Sequence, residues 1–275
     1  MDARHAVTVV GYGRRVTPAD RLTDILSDGR EVPLDESLLL LAAARPEASV
    51  DVARGLSALD DIANSCPSTS IESLVRHVFV SEGFSGDRDD YHDPRNSYLD
   101  QVLSRRIGMP ITLAVVLVET GRRVGVDLVG VGMPGHFLVR ERDDRDGFID
   151  PYHQGARISA AACEARFRTI HGDNMPFDPS YLDAVAPRSI VQRVLNNLTV
   201  TFRSRAPREL DWLLDLRLRL HADPPDLRAL ADLCELRGRY RDAADLLDRA
   251  IVHGHDDASQ ERIRQRADRL RARLN

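Results

Sequence analysis

A chain of 275 residues, 43% hydrophobic and 29% charged, is long enough for one large or two modest globular domains with a real core. Its net charge of −5 argues against a general nucleic-acid or anionic-membrane binder, whose affinity would rest on excess positive charge. All 38 basic residues are arginine, so Schiff-base lysine chemistry is closed to it.

Cys66, Cys163 and Cys234 are odd in number and widely spaced, with neither a CxxC nor a metal-type spacing. They read as small buried or half-buried residues. No basic leader precedes an apolar core, and no stretch approaches the roughly 18 apolar residues that a membrane span needs, so a cytoplasmic location is expected. The oligomeric state is left open.

In chain order, residues 1–16 carry a short β-like apolar run without an evident partner, and helical patterns follow at about 18–27, 35–45 and 49–65. The segment DESLLLLAAARPEA opens on acidic residues, ends at Pro46 and is apolar almost continuously, which predicts a buried helix. A helix over about 70–82 leads into GFSGDRDDYHDPRN, an irregular loop. Ser97 with Asp100 resembles a capping box and predicts a helix over 97–106. Gly108 breaks it, and the next helix, 110–123, is apolar nearly all round, as a helix at a domain centre packed against a sheet would be. VDLVGVGM, HFLVRER and GFIDPY supply the strands, with the charged DDRD at 143–146 as the hairpin turn. From residue 187 the chain becomes charged, periodic helix. Ala231, Gly238, Tyr240, Ala243, Leu247 and Ala250 match tetratricopeptide slots, and too few repeats are present to stand alone, so the array is expected to dock on the core.

The chemistry-bearing pattern spans 96–155. A helix opening at Gly108-Met109-Pro110 would face His136 at a strand start and Asp150 at the end of the next strand, a nucleophile, base and orienter layout. In transglutaminase and papain-like sites a cysteine opens that helix, where the helix dipole favours its thiolate. Here Pro110 holds the slot, with Ala114 at the small buried position beyond it. Proline supplies neither a nucleophile nor the backbone N–H that often donates to an oxyanion. Antiparallel pairing would set Asp150 opposite residues near 138–140, within diagonal reach of His136.

The blocks EGFSGDRDDYHDPRNSYLDQVLSRRIGMPITLA, VGVGMPGHFLVR and FIDPYHQG are similar to those of the bacterial SirB-type family, over a stretch from about Leu38 to the C-terminus. That resemblance implies an α+β fold, with a transglutaminase-like core of helices against an antiparallel sheet over 1–186 and an all-α tetratricopeptide-like domain over 187–275. It implies a loose tie to regulation and a site that usually lacks the cysteine.

The expected function is therefore non-catalytic binding of a peptide or protein by a regulatory or scaffold module, with no cofactor. The alternative is a hydrolase or acyl transferase using His136 and Asp150 with a non-cysteine nucleophile or water. Thr112 is a displaced-hydroxyl candidate set against ordinary packing or back-bonding. His136, Asp150 and His153 invite a metal reading, set aside because loose triplets of this kind are common. Tyr91, Asn96, Arg105 and Arg106 are the candidate binding residues, with His92 and Asp93 beside them at the cleft mouth.

Overall fold

A computed structural model describes residues 16–28, 31–172, 174–220, 224–251 and 257–274. The β-like run expected over 1–16 lies outside them, apart from Val16. Four helices come first: α1 (Pro18–Ser27), α2 (Leu34–Ala43), α3 (Val52–Asn64) and α4 (Ile71–Arg76), the last continued by a π-helical turn over His77–Ser81. Each start has a local cause. Thr17 Oγ1 accepts from the Asp20 N–H at 3.1 Å while Asp20 accepts from the Thr17 N–H, a capping box, and Asp51 and Ser70 cap α3 and α4. As its composition predicts, α2 buries Leu38 to Ala42.

The loop after α4 contains a strand too short for periodicity to show. β1 (Ser85–Gly86) pairs in parallel with β2 (Ile107–Gly108), on either side of α5 (Leu99–Arg105). The start expected at Ser97 is displaced. Pro94 opens a 3-10 turn capped by Asp93, Tyr98 becomes the N-cap of α5, and the buried Ser97 Oγ donates to Met109 Sδ at 3.2 Å.

The central helix α6 (Pro110–Val124) has proline at its first position and ends at Gly125, whose φ of 84° suits a glycine. It is buried on nearly every side. An antiparallel sheet covers it, ordered β3 (Leu128–Val131), β4 (Leu138–Glu141), β5 (Phe148–Asp150) and β6 (Ala156–Ile158). Leu128, Val139 and Ile149 point into the main core with α6. Val131, Leu138 and Phe148 point the other way, onto Cys163 and Phe167 of α7 (Ala160–His171).

The remaining helices are α8 (Pro187–Arg205), α9 (Leu210–Arg219), α10 (Pro224–Leu236), α11 (Tyr240–Ile251) and α12 (Asp257–Ala272). α8 packs on α2, and its Ile190, Val191, Val194, Leu195 and Leu198 belong to the same apolar cluster as α6. The helical tail thus docks on the core. The fold is α+β with an all-α tail. Among the described residues, no helix is long and apolar enough to cross a membrane.

Candidate functional site

The β4–β5 register, Val139 with Ile149 and Arg140 with Phe148, sets Asp150 level with Leu138 one step further on, two residues from His136. His136 follows a Met133-Pro134-Gly135 turn closed by its own N–H donating to the Met133 carbonyl at 3.0 Å, with Gly135 at φ 77°. Proline then glycine is what a type II turn demands. The turn aims the imidazole back at β5, and Nε2 donates to Asp150 Oδ2 at 2.9 Å.

Asp150 is fully buried and heavily engaged. Its Oδ1 accepts from the backbone N–H groups of Tyr152, at 3.1 Å, and His153, at 3.2 Å, capping the 3-10 turn Pro151–His153. Its Oδ2 is shared by His136, His153 Nδ1 at 2.8 Å and the Arg166 guanidinium. Burial by itself would raise the Asp150 pKa, but the hydrogen bonds from His136, Arg166 and His153 and the charge of His136 hold it well below the ordinary carboxylate range. Because Nε2–H is directed at Asp150, the Arg166 nitrogen 3.1 Å away is a neighbour competing for the same oxygen, not a partner of His136. The other ring nitrogen, Nδ1, has no hydrogen-bond partner among the described residues.

Opposite His136 stands the start of α6. Met109, Pro110 and Ile111 are buried there. Thr112 is fully buried, and its Oγ1 donates to the Asn96 carbonyl at 2.7 Å and accepts from the Met109 N–H at 3.2 Å. Its hydroxyl therefore ties the preceding loop to the helix start and is directed away from His136. Among the described residues, no serine, threonine or cysteine is hydrogen-bonded to His136. Burial pushes the Cys163 and Cys234 thiols up to about 11, and Cys66 Sγ donates to the Ser68 carbonyl at the end of α3. Neither buried thiol is an activated thiolate.

A cavity of about 160 Å3 lies between these walls, lined among others by Tyr91, Met109, Pro110, His136, Arg193 and Asn197. Of the binding residues expected from sequence, Tyr91 is in this lining. Asn96 is fully buried, its Nδ2 donating to Asp87 Oδ2 and the Asp90 carbonyl, both at 2.9 Å, and its Oδ1 accepting from Arg105 at 3.1 Å. Arg105 also lies near the Asp87 and Asp93 carboxylates. Arg106 pairs with Glu82 at 2.9 Å and lies over the Phe84 ring. These three knit the 83–96 loop to α5 and stand outside the cavity lining.

Arg166, Arg193 and Asn197 escaped the sequence reading, since they sit on α7 and α8, far downstream, without any local spacing to mark them. The donor atoms of His136, Asp150 and His153 lie within 4.8 Å of one another, close enough for a metal ion, but the Arg166 guanidinium already supplies the positive charge at the shared oxygen. A larger cavity, about 900 Å3, lies elsewhere between α2, α6, β3 and α8 and contains none of the His136 set.

A helix start facing a His–Asp pair on neighbouring antiparallel strands is the layout of transglutaminase-like folds. The family model described as the transglutaminase-like superfamily matches residues 42–196, and the chain belongs to that superfamily. It is 42% identical over 154 residues to a UPF0162 protein of Xylella fastidiosa, covering 52% of this chain and 54% of that protein. The UPF0162 protein of Pseudomonas aeruginosa is 32% identical over 222 residues, 78% of each chain. Human F-box only protein 21 is 30% identical over 124 residues, which is 42% of this chain and 19% of that protein. The chain thus spans about half the length of the Xylella relatives it matches. No solved structure matches it.

Proposed function

We propose that this chain is a non-catalytic member of the superfamily that binds a peptide or protein at the cleft beside His136 and acts as a regulatory or scaffold module in the cytoplasm. The observation that carries this reading is Pro110 at the first position of α6, opposite His136, with Thr112 turned into the fold. Without a thiol, a hydroxyl or the N–H that proline lacks, the α6 wall offers no group to attack an acyl carbon at that position and one donor fewer for an oxyanion. His136 and Asp150 survive as a structural and binding pair.

Within this reading the chain divides at 186/187, and the tail supplies further partner surface as SirB-type tetratricopeptide-like helices. Supporting that, α10 and α11 pack closely through the buried Ala231, Ala243 and Ala250, and join at Gly238, where φ is 72°.

A second reading, hydrolysis by water activated at His136, draws support from its unpartnered Nδ1. Intact-mass spectrometry after exposure to amine-plus-glutamine peptides and to activated esters, with product assays alongside, separates the two. The non-catalytic reading expects no acyl adduct and no turnover. An adduct or turnover that disappears in His136→Ala would establish an enzyme.

A further inference from the structure

Arg193 reaches the cavity from α8 along an opening made by a missing side chain. A Cβ at Gly132 would sit 1.9 Å from Arg193 Nη1, so the guanidinium lies where only glycine leaves room for it. It is fastened on both sides: Nη1 donates to the Gly132 carbonyl at 2.6 Å, and the guanidinium carbon stands 5.6 Å from the centre of the Phe137 ring. The position is built, yet no carboxylate shares it. Among the described residues Arg193 has no acidic partner, in a chain whose 43 acidic residues outnumber its 38 basic ones. Burial lowers its pKa and no carboxylate offsets that. Most of its five N–H donors are without a protein acceptor among the described residues. Next to it, Asn197 Nδ2 meets only the weak acceptor Met109 Sδ, at 3.5 Å.

We propose that this cavity is a carboxylate subsite, in which Arg193 takes a carboxylate of the bound peptide through paired N–H donors and Asn197 adds a third. This deepens the peptide-binding reading above and rests on it. The volume, about 160 Å3, is that of about five waters at ~30 Å3 each, enough for a carboxylate and a short stem. A single negative charge matches the one guanidinium at the cleft that lacks a carboxylate among the described residues, because Arg166 is already paired with Asp150. A phosphate dianion would leave one charge without a partner in a half-buried site. The carboxylate can come from a peptide C-terminus or from an Asp or Glu side chain, and the test distinguishes them.

The test follows the Arg193 Nε–H signal of the full chain by 15N-resolved NMR, assigned through Arg193→Lys. The probes are N-acetylalanine for a terminal carboxylate, N-acetylaspartate α-amide for a side-chain carboxylate, N-acetylalanine amide as the uncharged control, and inorganic phosphate. One or both carboxylates should move the signal saturably at millimolar concentration, and the better arm names the source. The neutral amide should not. Arg193→Gln should weaken binding about tenfold or more, the loss of one charge-assisted pair. Gly132→Ala should weaken it as well, by displacing the guanidinium without changing the charge.

Equal binding of the neutral amide, tighter binding of phosphate, or no saturable shift with either carboxylate would overturn the subsite. So would full affinity in a folded Arg193→Gln protein. The ligand preference of the unmodified protein decides the matter even if the variants fail to fold. Loss of the carboxylate preference without any acyl adduct would remove the subsite and leave the non-catalytic reading, whereas an adduct with the preference intact would do the reverse.

Discussion

The two walls of the cleft carry different chemistry. On the sheet side, Asp150 is polar and fully occupied, with two backbone donors on one oxygen and three side chains on the other. On the helix side, Met109, Pro110 and Ile111 present an apolar start, and the nearby hydroxyl of Thr112 is directed elsewhere. The difference teaches that the carboxylate of a His–Asp pair can carry structural duties of its own. Asp150 caps a turn and balances Arg166 whether or not anything reacts at His136, so its removal should be felt by the fold. At the helix start, the bonds that hold the preceding loop are made by Met109 and Thr112, and Pro110 takes no part in them.

The largest effect should follow from the sheet side. Asp150→Ala removes the turn cap and the counter-charge of Arg166 together. We expect a loss of about 3 kcal/mol in chemical denaturation, the lower end for a broken buried pair, because the Arg166 side chain is 34% exposed and can rehydrate. A loss below about 1 kcal/mol would mean that the carboxylate is not structural.

The same carboxylate predicts a pH dependence. Its folded pKa is depressed, so its stabilising contribution is complete above the unfolded value near 3.9 and declines as pH falls toward the lower folded value. The stability gap between the natural protein and Asp150→Asn should therefore narrow below about pH 4. A gap that stays constant there would contradict the depressed pKa.

Next in size is Gly86→Ala. Its new Cβ would lie 2.3 Å from the Tyr152 ring, whose hydroxyl donates to the Asp87 carbonyl at 2.5 Å and so ties the loop to the turn that Asp150 caps. A loss of about 1–3 kcal/mol is expected. Thr112→Val should cost about 1–2 kcal/mol, because the Asn96 carbonyl and the Met109 N–H lose their bonds to the hydroxyl and keep only their own longer contact at 3.4 Å, with esters still leaving no adduct; unchanged stability would show that its hydroxyl does not hold the loop. Smallest is Pro110→Cys, which should shift stability by less than about 1 kcal/mol and give no acyl-enzyme. A stable thioester there would show that the helix wall is shaped for the reaction once a thiol stands at that position.

How far the sequence discloses this arrangement depends on element length. The α6 helix is legible because fifteen residues with hardly a polar face leave it nowhere but the centre. β3 to β5 are legible from branched and aromatic runs around a charged turn, and with them the His136–Asp150 approach. β6 is three residues long and its first two are exposed, and α7 buries little besides Cys163 and Phe167, so neither announces itself by period. Arg166 was hidden with α7. The loop 83–96 shows a complementary limit: its polar residues could be placed near the cleft, but whether Asn96 or Arg105 faces a ligand or another loop residue depends on partners that local spacing does not reveal.

The helix that begins the tail also forms a wall of the cleft. α8 buries Ile190, Val194 and Leu198 in the main core, and from the same helix Arg193 reaches through the gap at Gly132. The arginine tip hydrogen-bonds the Gly132 carbonyl at 2.6 Å, while the helix that carries it is anchored in the core. Whatever fixes α8 in the core therefore also fixes where the guanidinium stands in the cleft, since one helix carries both.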